Sequence, residues 1–317
     1  MKLSTAIYFN KTNLKFEGFT DLGEWTPEHQ KQKKGDHALV FMYQPFRGSW
    51  VQTHGCFLSV GCASGTVLHK LLLECILLIE NSGFFVDAVV TDGASWNRYM
   101  WNIFGVTDKD ISVPHPCCDA ERRLWFFSDF PHLIKALRNF LIKLFKYAVI
   151  YTPDGNISLK HWYALLELLG KLSYELRVNY KLRLDHVEPK YYQKMNVALA
   201  FQFFNIHHAL EIYNDCHEDL EDCNGTITFC KRITSLIKAM NSRTAFDAMA
   251  PNNEAWKTIE DFILFLEEWE SNAKGKLEFM SDNCCYGMKI SLKAVLEICT
   301  FLTEKCNFSY LMTARVN

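Results

Sequence analysis

The sequence predicts an α/β core joined to a second, all-helical domain. Three observations carry this. An apolar run from Val86 to Thr91 delivers Asp92 to its tip and turns through Gly93-Ala94 into a helical pattern. A second run, Leu124-Trp125-Phe126-Phe127-Ser128, ends in Asp129, and Phe130-Pro131-His132 opens a helix, since Pro suits a first helical turn. Beyond about residue 158 strand patterns give way to helical periodicity almost to the end.

Taken in order, residues 1–9 read as the end of a strand, and residues 14–19 alternate as a half-buried strand does. Residues 24–36 are polar and form an exposed loop. Residues 38–43 and 50–60 supply further strand, broken by turn residues at 45–49. Ser64 or Thr66 caps a helix over 67–79, and Gly83 suits its exit. The Asp92 strand, a short helix through Met100 and Trp101, the Asp129 strand and a long helix from His132 follow. That order, three strands and a helix and then two strand–helix pairs, matches a ribonuclease H-like mixed sheet. Residues 158–306 read as helices with loops at 184–188, 217–225, 250–253 and 281–287.

Composition narrows the function classes. The 317 residues are 49% hydrophobic and 14% aromatic, enough to build a large core. Lys plus Arg total 34 against 36 for Asp plus Glu, so contact with nucleic acid must come from local patches. Twelve thinly spread cysteines, with adjacent pairs at Cys117-Cys118 and Cys284-Cys285, fit reduced thiols in an intracellular compartment. The most apolar stretch, residues 71–79, contains Glu74 and is far shorter than the ~20 residues a bilayer needs, so no membrane role is expected. There is no phosphate-binding Gly-rich loop with its Lys, no paired Cys or His at zinc spacing and no Gly-x-Ser-x-Gly elbow.

The helix after Asp129 divides into faces. Leu133, Leu137, Phe140, Leu141 and Leu144 share one arc, while His132, Lys135, Asn139, Lys143 and Lys146 share the opposite one. The second arc is a basic stripe that either touches DNA phosphates through Lys135, Lys143 and Lys146 or is a solvated face.

Asp92-Gly93-Ala94-Ser95, Met100-Trp101, Gly105, His115-Pro116, Asp129-Phe130-Pro131-His132-Leu133-Ile134-Lys135 and Arg138-Asn139 together resemble the P-element transposase family, which includes transposase-derived proteins with a THAP zinc domain. The resemblance implies a ribonuclease H-like core split by a large helical, GTP-binding insertion. Three acids then hold two Mg2+ ions ~4 Å apart for phosphodiester cleavage and strand transfer. The first acid would lie just before Met1-Lys2-Leu3, the second is Asp92, and the third would follow the segment Leu311-Met312-Thr313-Ala314-Arg315-Val316-Asn317. Asp92 is therefore the expected catalytic residue and metal ligand. The family keeps the Asp129 motif outside its three acids, so Asp129 and His132 either support the site indirectly or cap the following helix.

The resemblance also implies residues 1–145 as the core with a truncated first strand, 146–305 as the insertion and 306–317 as a truncated return to the core. GTP contacts would fall at Val197, after Lys194-Met195-Asn196, and at Asn241. The acid that accompanies this Asn in the family is Lys238 here, which offers donors only, whereas reading guanine N1–H needs an acceptor. Transposon DNA as partner, homo-oligomer formation by the intact protein and a nuclear location follow as expectations. So does inactivity of this chain alone, since it holds one acid of three. The alternative is a domesticated DNA- or protein-binding module without catalysis.

Overall fold

Strand length is the first departure from the sequence pattern. In a computed structural model, which describes residues 2–12, 14–118, 121–145, 149–273 and 279–317, the chain divides into two compact units, Met1–Phe126 and Phe127–Asn317. In the first unit, β1 (Tyr8–Asn10) and β2 (Lys15–Glu17) pair antiparallel, with Phe9 opposite Phe16. The two rings lie 5.1 Å apart yet remain 45% and 65% exposed. The half-buried strand expected over 14–19 is thus a short surface ladder whose aromatic pair covers itself instead of a core.

A longer antiparallel hairpin follows, β3 (His37–Tyr43) with β4 (Gln52–Ser59). Helix α1 (Gly65–Asn81) starts where expected, because Ser64 Oγ accepts the Val67 N–H at 3.3 Å. Its buried face is Leu68, Leu71, Leu72, Cys75 and Ile76. Then come β5 (Ala88–Thr91) and α2 (Ser95–Phe104), the latter ended by Gly105 at φ 99°. Gly65 lets α1 pass close to α2: a Cβ there would stand 2.8 Å from the Trp96 carbonyl oxygen. Strands β6 (Ser112–Pro114) and β7 (Arg123–Ser128) complete a sheet ordered β5-β7-β6. β6 was not expected, being three residues long and ending in Pro.

The second unit is helical around a small hairpin, β8 (Ile150–Thr152) with β9 (Gly155–Ile157). Its helices are α3 (Phe130–Phe145), α4 (Lys160–Lys171), α5 (Leu184–Val187), α6 (Val197–Phe204), α7 (His207–Tyr213), α8 (Asn224–Met240), α9 (Glu254–Asn272) and α10 (Asp282–Lys305). Trp162 stacks on Phe203 at 4.6 Å and donates its indole N–H to the Phe203 carbonyl at 2.9 Å. Phe204, Phe229, Phe262 and Trp269 extend this core.

Two loops expected from sequence are helical. Residues 184–187 form α5, and α10 begins at Asp282 rather than after residue 287, with Cys284, Cys285 and Gly287 all buried. Tertiary packing overrides weak local propensity there. At the far end, Leu311 bridges Met249, and the Thr313 hydroxyl donates to the Ala239 carbonyl at 2.7 Å, so residues 311–317 dock on the end of α8. Among the described residues no helix is long and apolar enough to cross a membrane.

Candidate active site

Asp92 stands just past β5 and three residues before the first residue of α2. Its Oδ1 accepts the Ala94 N–H at 3.0 Å and the Asn97 Nδ2–H at 2.7 Å. Its side chain is exposed, and Oδ2 carries no hydrogen bond among the described residues. One carboxylate oxygen is thus held in place while the other faces solvent, which suits one oxygen ligand of a hard divalent cation. Asn97, one turn into α2, is the orienting partner; nothing in the sequence distinguishes it from any other polar helix residue. Among the described residues no group of three or more His, Cys, Asp or Glu side chains gathers into a metal site. Asp92 thus stands without the further acids that a two-metal centre needs grouped around it among the described residues.

The strand that carries Asp92 is pinned at its start. The Arg122 guanidinium makes two bonds of 2.9 Å to Glu80 and one of 2.7 Å from Nε to Asp87. Glu80 also accepts the Val86 N–H at 2.6 Å. His115 Nδ1 accepts the Cys117 N–H at 3.2 Å, which leaves Nε2–H to donate to the Val86 carbonyl at 2.9 Å. Burial, reinforced by the Arg122 charge, pulls the His115 pKa down and keeps it neutral. Burial opposes the charge on Glu80, but the bonds from Arg122 and Val86 outweigh it and its pKa falls below the usual carboxylate value. The end of α1, the approach to β5 and the start of β7 are thereby tied together.

The other sequence candidates belong to the second unit. The Asp129 backbone carbonyl accepts the Leu133 N–H at 3.1 Å, opening the first turn of α3, where His132 is half-buried. On α3, Leu133, Leu137, Leu141 and Leu144 are buried, Lys135 is half-buried and Lys143 is exposed; Lys146 lies outside the described residues. Asn139 does not face solvent as the stripe implied: its Nδ2–H donates to the Lys194 carbonyl at 3.2 Å. Beside it, Arg138 is fully buried and donates from Nη2 to the carbonyls of Gln193 and Lys194, at 3.3 and 3.0 Å. Burial lowers its pKa to about 10.

Val197 opens α6, whose cap is Asn196, with Oδ1 accepting the Leu199 N–H at 3.1 Å. Asn241 directly follows α8, next to Ser242, whose N–H donates to Thr313 Oγ1 at 3.0 Å. Lys238 turns to Asp247, 3.4 Å away, on a cavity of about 220 Å³ that Ser235, Asn253 and Glu254 also line.

Two family models match the chain: the TNP-like RNase H N-terminal domain over residues 1–105 and the TNP-like GTP-binding insertion domain over residues 131–252. The chain belongs to the P-element transposase family. It is 22% identical over 250 residues to the Transposable element P transposase of Drosophila melanogaster, covering 75% of this chain and 32% of that protein. It is 24% identical over 252 residues to DNA transposase THAP9 of Homo sapiens, covering 78% of this chain and 27% of that one. The chain thus spans about a third or less of the length of the curated relatives it matches. A solved Drosophila P element transposase strand transfer complex superposes with a TM-score of 0.81 at 17% identity, over 100% of this chain and 67% of that one. The expected ribonuclease H-like core with a helical insertion is the fold observed.

Within this family frame, Asp92 falls in the segment matched as RNase H. His132, Lys135, Arg138, Lys143, Val197 and Asn241 all fall in the segment matched as the GTP-binding insertion.

Proposed function

We propose that this chain is a fragment of a P-element-like DNA transposase, with Asp92 as one of the acids that bind Mg2+ for phosphodiester cleavage and strand transfer. The observation that carries the reading is the Asp92 carboxylate itself, with one oxygen fixed by Ala94 and Asn97 and the other open to solvent. The described residues do not complete a two-metal site, so no catalytic step is assigned to them alone. Asp129 and His132 shape the start of α3 rather than bind metal. Lys135, Lys143 and Lys146 contact the DNA backbone. Val197 and Asn241 contribute to nucleotide binding, where Asp247 is the acceptor nearest Lys238 and the group able to read guanine in place of the family acid. Transposon DNA is the partner, the intact protein acts as a homo-oligomer, and it works in the nucleus.

That no metal-holding group of three such side chains forms among the described residues favours one other reading, a DNA- or protein-binding module without catalysis. Both readings meet the same test. In Mg2+ the purified chain should leave supercoiled DNA uncut. Mn2+ should bind weakly and broaden the amide resonances of residues 94–97, an effect lost in Asp92→Asn. Nicking that disappears in Asp92→Ala would overturn the assignment of inactivity, and unperturbed 94–97 resonances would remove Asp92 from the metal site and leave the binding-module reading.

A further inference from the structure

We propose that α3 and the turn at Tyr191–Met195 form one composite surface for the unpaired end of a DNA strand, an inference that rests on the DNA-backbone role given to Lys135 and Lys143. The two segments are some 55 residues apart in sequence, and the Asn139–Lys194 bond joins them. Lys135, Asn139 and Lys143 recur at every fourth position and so form one stripe of α3. The turn docks on the middle of that stripe. Arg138 holds the carbonyls of Gln193 and Lys194 from beneath, and the Lys190 N–H donates to Gln193 Oε1 at 2.7 Å. A turn held by α3 and braced by its own Gln193 side chain presents what remains outward.

What remains is Lys190-Tyr191-Tyr192 and Lys194. The two tyrosines are 89% and 69% exposed, side by side, and both flanking lysines are exposed. Residues 130–145 and 189–210 contain no Asp or Glu. No salt bridge to Lys135, Lys143, Lys190 or Lys194 forms among the described residues. The charge is therefore available to an external anion. Lys135 and Lys143 stand ~12 Å apart along the helix, a spacing that suits a chain of phosphates. Exposed tyrosine rings among lysines stack on bases only where the bases are unstacked, which selects a single-stranded end over a closed duplex.

The test uses the 317-residue chain and two fluorescent duplexes, one blunt and one with a five-nucleotide overhang, in an anisotropy titration at several salt concentrations. The overhang probe should bind about 10-fold more tightly than the blunt one. The double variant Tyr191→Ala/Tyr192→Ala should lose that preference while keeping the blunt affinity, and Tyr191→Phe/Tyr192→Phe should retain it. Lys190→Glu/Lys194→Glu should weaken both probes and lower the salt slope by about 1 to 2. Equal binding of both probes by the unaltered chain, or a preference that survives the alanine variant, overturns the proposal and leaves the backbone role of α3 standing. Displacement of the overhang probe by millimolar GTP would assign the tyrosines to a mononucleotide and overturn it as well. Failure to bind either probe would bring down the backbone reading with it.

Discussion

The two units position their functional segments with different materials. In the first, the approach to Asp92 is fixed by ions: Glu80, Asp87 and Arg122, with side chains 11–15% exposed, converge around Val86. Apolar surface nearby stays open, with Phe85 68% and Phe84 47% exposed. In the second, Trp162, Phe203, Phe204, Phe229, Phe262 and Trp269 form a continuous buried core, and the turn at 191–195 is held to α3 by Arg138. An ionic clamp dictates geometry but becomes costly once any member is lost, whereas an aromatic core supplies bulk stability and tolerates change at its edge.

The largest expected effect tests the aromatic side of this contrast. Trp162→Ala should remove about 4 kcal/mol of stability by opening a cavity under Phe203. Hydrogen exchange should rise across residues 127–317 and hold steady in 65–126. Next in size, Arg122→Ala should cost about 3 kcal/mol, because two partly buried carboxylates lose their counter-charge. Here the rise in exchange belongs to residues 80–92. Urea unfolding of both variants, read by exchange mass spectrometry, makes the comparison. If either substitution loosened the whole chain uniformly, the units would be one cooperative body and the contrast would fail.

The features legible in the sequence were those fixed by neighbours a few residues away. Asp92 at a strand tip, the Ser64 cap, the exit at Gly83 and the apolar arc of α3 all follow from local pattern. What stayed hidden depended on distant partners. A helical projection places Asn139 in the polar stripe, yet its partner is the Lys194 carbonyl 55 positions on. Arg138, of a residue type rarely found fully buried, is fully buried. The start of α10 looks like a loop until Cys284, Cys285 and Gly287 are seen to be packed. Strands of three residues, such as β6 and the β8–β9 pair, are too short for alternation to declare them.

The smallest expected effect compares the two units through a buried histidine in each. His161, 1% exposed, lies 2.6 Å from Thr226 Oγ1 through Nδ1 and 3.0 Å from Asp222 through Nε2. Its pKa is lowered chiefly by burial; the Asp222 bond pulls the other way, but that carboxylate is largely solvent-screened. His115 is lowered by burial as well, with Arg122 adding to it. The unfolded chain binds a proton to each with a pKa near 6.5, and the folded chain does so only at lower pH. Between those two values the unfolded state holds more protons, so stability rises with pH there and is fully present above about 6.5. Acidification from pH 7.5 to 5.5 should therefore weaken both units, before the carboxylates held low by their partners begin to titrate. His161→Gln should flatten the pH slope of exchange in residues 127–317 alone, and His115→Gln that of residues 1–126 alone. Greater stability at pH 5.5 than at 7.5 would mean that His161 is held as a cation by Asp222, and that the second unit, like the first, depends on an ion pair.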